Sequence, residues 1–329
     1  MRKNHTVVLF LAALFLLLFG LTEKGQAQVR VRAGYSAISG SMLPLWMAQE
    51  TGSFQRNGLE VELVFVGGGS KLLQATLGGD FQFAALGGQG VDARLAGADT
   101  VYVAGGIDRL VFYLFSSAKI RSITELRNKK VGVTRAGTVS EYAAKTALQR
   151  AGLQPPRDAA LISVGGIPEI MTAIIAGAVD AGTISPPTSL RARKAGLTEL
   201  ADLSGVRYVQ SALLATGSYI ERNADIVRRF VRAWTEAIAA IRQDREVSQK
   251  VLGKYTRTQD PEVLEETYRA YAPHFDRAPY PPLESIQVVL KEAAQTNPKA
   301  RVARPEEFVN PRFVQELERT GAIDSLYRK

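Results

Sequence analysis

Glycine, serine, threonine and one glutamine gather in five short stretches of this 329-residue chain. They are Ser36–Ser41 (SAISGS), Gly67–Ser70 (GGGS), Gly87–Gly90 (GGQG), Arg135–Ser140 (RAGTVS) and Ser185–Thr188 (SPPT). Hydroxyls and carboxamides offer neutral hydrogen bonds, and glycine lets backbone N–H groups come close to a bound molecule. Where such a stretch opens a helix, the free N–H groups and the helix dipole favour a negatively charged group. The chemistry these residues suit is capture by many neutral donors. The candidate ligand-binding residues are Ser39, Gly40, Ser41, Gly68, Gly69, Ser70, Gly87, Gly88, Gln89, Thr138, Val139, Ser140, Ser185 and Pro186. Ser41 and Thr138 also have the chemistry of helix N-caps, and one hydroxyl can cap and bind. Arg135 reads as facing solvent.

Signals for catalysis are thin. GGGSK at Gly67–Lys71 lacks the G-x-x-x-x-G-K-[ST] spacing of a phosphate-cradling loop, so Lys71 reads as an exposed helix residue. No G-x-S-x-G elbow occurs. The histidines are His5 and His274, and there is no cysteine. A histidine-rich metal site and a Cys-His pair are therefore out of reach, and a Ser-His-Asp set would need His274 itself. Glu265-Glu266 reads as an exposed helix face, and Asp180 as structural. No catalytic residue, metal site or cofactor is expected.

The elements that hold the five stretches are legible from pattern. Leu59–Val66 (LEVELVFV) alternates toward a glycine turn, Lys71–Gly78 reads as a helix and Phe81–Leu86 as a strand. The same series recurs. Laying Val66 on Val164 brings Gly67 and Gly68 onto Gly165 and Gly166, Ala75 onto Ala173, and Gly79 onto Gly177. Strands at 130–134, 160–164 and 179–184, with helices at 140–151 and 169–176, repeat the order of the first copy. Strand and helix in alternation mean parallel βαβ units, and two copies mean two Rossmann-like lobes of an α/β fold. Ligands in such sheets bind beyond the carboxyl ends of the strands, where all five stretches fall.

After Ser218 the period becomes helical: Ile226, Val227, Phe230, Val231, Trp234, Ile238 and Ile241 mark an amphipathic helix over 224–243. Asp260-Pro261 opens another as N-cap and first residue, and Pro281-Pro282 and Asn310-Pro311 open two more. This tail must pack on lobe one, with Trp234 and its tyrosines in the core. Arg109–Ser116 and Val209–Thr216 are apolar enough to cross between lobes. The expected division is 1–27 leader, 28–111 lobe one, 112–212 lobe two and 213–329 the helical remainder of lobe one.

The leader has the form of a secretory signal. MRKNH precedes the 15-residue apolar run Val7–Leu21, shorter than the ~20 residues a membrane helix needs. Small residues at Gly25 and Ala27 place the cut before Gln28. The mature protein is thus expected in the periplasm, as a soluble monomer. The net charge of +9 invites a nucleic-acid reading, but the cations are scattered and not interleaved with aromatics. The densest cluster, Arg191-Ala-Arg193-Lys194, reads as a solvated helix face.

YSAISGSMLPLWMAQETGSFQRNGLEVELVFVGGGS resembles the start of ABC-importer solute-binding proteins for nitrate, sulfonates, taurine and thiamine-pyrimidine precursors. LGGDFQFAALGG and AGAVDAGTISPPTSLRARKAG resemble the family's two copies of a small-residue, acidic, strand motif. DPEVLEETYRAYAP and FVQELERTGAIDSLY resemble its tail. The resemblance implies a type II periplasmic binding-protein fold, with two lobes on a two-segment hinge. It also implies one small-molecule ligand and membrane permease subunits as partners, and it puts the same five loops against the ligand; the donors of those loops suit a small anionic organic or oxyanion ligand and leave a flat aromatic open. Relatives often carry Trp-Glu-Pro where this chain has Ser185-Pro186, which argues against an amine or pyrimidine held by a carboxylate. The alternative on this fold is a pyrimidine-precursor synthase, which relies on a histidine and a cysteine-rich segment. The third, a LysR-type sensing domain, would need a helix-turn-helix where the leader stands.

Overall fold

A computed structural model describes residues 28–328; the leader expected over 1–27 lies outside them. The chain starts with β1 (Val29–Tyr35), α1 (Leu43–Glu50), a short α2 (Ser53–Arg56) and β2 (Leu59–Phe65). α3 (Gly69–Leu77), β3 (Phe83–Leu86), α4 (Gln89–Leu95) and β4 (Val101–Arg109) follow. The next segment holds β5 (Tyr113–Ser116), β6 (Lys130–Val133), α5 (Val139–Arg150), β7 (Ala160–Ser163) and α6 (Ile167–Ile175). It ends with β8 (Ala181–Ile184), α7 (Thr188–Lys194) and β9 (Thr198–Asp202) before β10 (Arg207–Ala215).

These strands form two five-stranded sheets, ordered β2-β1-β3-β10-β4 and β7-β6-β8-β5-β9. β1 pairs in parallel with β2 and β3, as β6 does with β7 and β8. The internal repeat is real in three dimensions. The overlay that sets Gly67 on Gly165 also sets α3 on α6 and β3 on β8, end to end.

Each sheet is completed by an antiparallel strand that enters directly from the other lobe. β5 slots between β8 and β9, and β10 between β3 and β4. The crossing segments bond to each other: Leu110 N–H donates to Val206 O at 2.7 Å, Gly205 N–H to Leu110 O at 3.1 Å, and Leu203 N–H to Phe112 O at 2.9 Å. The return lies earlier than the sequence reading puts it. β10 already belongs to the first sheet, so the chain crosses back at 203–206 and not near 213. Val209–Thr216 is apolar because a central strand is covered on both faces, and that pattern imitates a crossing segment.

The tail comprises α8 (Gly217–Arg222), α9 (Ala224–Gln243), α10 (Arg245–Thr256), α11 (Pro261–Tyr271), α12 (Leu283–Ala293), α13 (Arg312–Arg319) and α14 (Ala322–Ser325). α9 spans the residues its periodicity predicts and lies against α1 and α2. Its buried stripe closes one face of the first sheet: Phe230 stacks on Phe83 at 3.9 Å, and Trp234 Nε1 donates to Gly105 O at 2.8 Å. α12 covers β10 and α4 from the other side. Asp260 caps α11, accepting from Glu262 N–H and Val263 N–H.

Two expected outcomes test this packing. Phe230→Ala should cost about 3–5 kcal/mol, because a fully buried ring between Phe83 and Phe54 leaves a void; an unchanged urea midpoint would contradict it. Hydrogen bonds from Arg157 and from the Gln154 N–H hold the Asp158 carboxyl down at about 2. A depressed carboxylate stabilises the fold above the usual range near ~4 and loses that contribution as the pH falls toward ~2. Asp158→Asn should accordingly flatten the dependence of melting temperature on pH within that window.

Candidate functional site

The carboxyl ends of β1, β2 and β3 face those of β6 and β8, and between them lies a small cavity of ≈ 40 Å³. At ~10–15 Å³ per water, that is room for about three waters or a compact group of similar size. Eight candidate residues line it: Ser39, Ser41, Gly69, Gln89, Thr138, Val139, Ser140 and Ser185. Ser36, Ala37, Met42, Phe112, Thr134, Ile167 and Gln210 complete the wall.

The donors are held in place locally. Thr138, the N-cap of α5, donates to Arg135 O at 2.7 Å and lies 2.9 Å from Thr134 Oγ1. Ser140 Oγ accepts from Thr134 N–H at 3.1 Å and sits 2.9 Å from Thr183 Oγ1. Gln89 is buried, and its carboxamide oxygen has no hydrogen-bond partner. Turned by 180°, the same group offers its NH₂. Gly69, Val139 and Ile167 are the first residues of α3, α5 and α6, so three helix N-termini look into one space. Every side chain of the wall is neutral. Such an enclosure lowers the energy of an anion through partial charges.

The other six candidates sit behind the wall. Gly40 makes way for the Tyr271 ring: a Cβ there would stand 2.3 Å from it. Gly68, at φ 89°, supports the Arg135 side chain. Gly87 is pressed between Val139 and the β10 backbone, and Gly88 against Tyr208 and Val289. Ser70 Oγ donates to Ala136 O at 2.7 Å, and the Pro186 carbonyl accepts from Gly40 N–H at 3.4 Å. Both are bonds between lobes, so Ser70 and Pro186 serve closure.

Two readings of charge change. Arg135 does not face solvent: its Nε donates to Gly67 O at 2.9 Å across the cleft. Nor does the Arg191–Lys194 cluster stand unpaired, although Lys194 remains exposed. Arg191 donates to Thr256 O at 3.0 Å, Arg193 pairs with Glu266 at 2.5 Å, and Lys194 pairs with Asp260 and Glu262, both at 2.7 Å. These bonds join α7 of lobe two to the α10–α11 corner of the tail. Tyr142 of lobe two stacks on Tyr208 of lobe one at 3.8 Å on a further contact. The molecule is therefore closed, with protein–protein bonds around the cavity.

Of the residues missed in the sequence, Ile167 had a signal, since the internal overlay sets it on Gly69. Thr134 directly follows β6, next to a chosen loop. Phe112 and Gln210 belong to the crossing and the returning strand, and only the topology brings them in. His274 lies in a turn after α11 and does not line the cavity; burial lowers its pKa. Among the described residues, no group of three or more His, Cys, Asp or Glu is placed to hold a metal.

This architecture is the periplasmic binding-protein fold. Residues 40–247 match the family model described as NMT1/THI5 like, and the chain belongs to that family. A protein from Bordetella bronchiseptica RB50 superposes with a TM-score of 0.78 at 20% identity, covering 90% of this chain and 99% of the other. The alkanesulfonate-binding protein SsuA from Xanthomonas axonopodis pv. citri, bound to MOPS, gives 0.70 at 20% identity over 86% and 98%. The periplasmic nitrate-binding protein NrtA from Synechocystis PCC 6803 gives 0.76 at 12% identity over 89% of each chain. No curated protein sequence matches the chain.

The pairs between α7 and the tail are partly exposed, and such pairs contribute little singly and weaken with salt. Raising NaCl from about 20 to about 500 mM should enlarge the radius of gyration of the solute-free protein. Lys194→Glu should start from the larger value. Small-angle scattering that detects neither change would refute the contribution of these pairs to closure.

Proposed function

We propose that the chain is the extracytoplasmic solute-binding component of an ABC-type importer, and that it captures a small anionic organic molecule or oxyanion between its lobes. The observation that carries this reading is the cavity itself: neutral hydroxyls, one unpartnered carboxamide and three helix N-termini enclose one compact space. A buried cation would hold an anion more tightly, whereas partial charges suit a carrier that must also release its load. Ser39, Ser41, Gly69, Gln89, Thr138, Val139, Ser140 and Ser185 are its ligand contacts in this reading. Gly40, Gly68, Ser70, Gly87, Gly88 and Pro186 shape or close the site around them.

Binding without chemistry is favoured because the wall holds no group that titrates near neutral pH to act as general acid or base. That also speaks against a pyrimidine-precursor synthase. The apolar leader and the cut before Gln28 would deliver the mature protein to the periplasm as a monomer. The partners are then membrane permease subunits that receive the closed lobes.

Thermal-shift titration of mature protein against nitrate, sulfate, methanesulfonate and taurine, with neutral pyrimidines as the opposing set, tests the reading. A solute that binds only the folded state at ~100 times its Kd should raise the melting temperature by ~5 °C or more. Thr138→Val should lower the solute-free melting temperature somewhat, through its lost bonds to Arg135 O and Thr134, and should reduce the shift measured from that new baseline. A panel in which only neutral heterocycles bind, or a Thr138→Val protein with an undiminished shift, overturns the assignment.

A further inference from the structure

We propose that Tyr271, contributed by the C-terminal tail, is a positioning residue for solute capture: its hydroxyl ties the cleft serines to the segment about which the lobes turn. This rests on reading the cleft as the solute site and goes beyond it. Tyr271 closes α11, far along the chain from every loop that forms the cavity, and it is fully buried. Its hydroxyl lies 2.8 Å from Ser39 Oγ and accepts from Gln210 Nε2 at 3.3 Å. The Gln210 carboxamide oxygen accepts in turn from the Val111 N–H, inside the first crossing segment. On the other side Ser185, from lobe two, donates to the same Ser39 Oγ at 3.1 Å.

A single relay thus runs from hinge backbone through Gln210, Tyr271 and Ser39 to Ser185 of the opposite lobe. Gln210, Ser39 and Ser185 are buried as well, so a lost bond has to be replaced inside the molecule. The ring is part of the device. One edge of it packs against the cleft loop at Gly40, in space that exists because residue 40 has no side chain. When the lobes part, Ser185 departs while Tyr271 keeps hold of Ser39, which waits in the orientation that receives Ser185 or a solute. Removing the hydroxyl frees the Ser39 rotor and strands the Gln210 NH₂. Closure then has to order Ser39 as well as bring the lobes together.

The test needs no solute. The chain has no cysteine, so Gln74→Cys on α3 and Thr172→Cys on α6, both exposed, take a donor and an acceptor dye across the cleft. Single-molecule energy transfer is recorded across a NaCl series in the labelled parent and in Tyr271→Phe. Tyr271→Phe should lower the closed-to-open ratio about threefold, the equivalent of fixing one three-well side chain, Ser39, on closure. Tyr268→Phe, which loses a bond to Ile241 O from the same helix, is the structural control and should leave the ratio unchanged. Ser39→Ala, which also removes the interlobe bond from Ser185, should lower the ratio at least as far, and adding Tyr271→Phe to it should lower the ratio no further. Distributions indistinguishable from the parent in both relay variants overturn the proposal, as does an equal shift in Tyr268→Phe or a parent that is open in every condition. A solute panel without a hit would overturn the anion reading and leave this result standing.

Discussion

Two crossing segments that hydrogen-bond to each other set the terms for the whole molecule. Leu110–Phe112 and Leu203–Val206 run side by side, and each leads straight into the strand that completes the opposite sheet. Neither lobe is a finished sheet without the chain that arrives through the crossing. The lobes consequently share one short ladder as their axis, and their strand ends are aimed at each other from a fixed distance. Phe112 and Gln210, which sit at this axis, also line the cavity. The site is thus built against the hinge, where a small rotation of the lobes moves its walls least and the far rim most.

Much of the fold was legible because period and punctuation agreed. The repeated glycine turns marked strand ends, and the overlay they define matches α3 to α6 and β3 to β8 without a slip. The amphipathic stripe of α9 and the Asp260-Pro261 cap of α11 were equally plain. The return crossing was misplaced because burial on both faces gives β10 the same unbroken apolar run that a crossing segment would have. Sequence pattern records how a residue is covered and not which sheet covers it.

The loops of the site could be read, but not the depth of each residue within them. Ser39 and Ser41 reach the cavity, whereas Gly40 between them turns its bare face to an aromatic ring from the tail. Arg135 and the Arg191–Lys194 cluster read as solvated because their partners lie far away in sequence, on the other lobe or in the tail. The tail contributes more than a cover for lobe one. Through α11 it presents acidic groups to α7 at the rim and a phenol to the serines within.

Duplication made the two halves alike in backbone, yet equivalent places are occupied differently. Gly69 on one side faces Ile167 on the other, and Gly87 corresponds to Ser185. One wall therefore offers bare peptide where its twin offers a branched hydrocarbon. Duplication has thus kept the helix N-termini in register while the side chains set on them diverged.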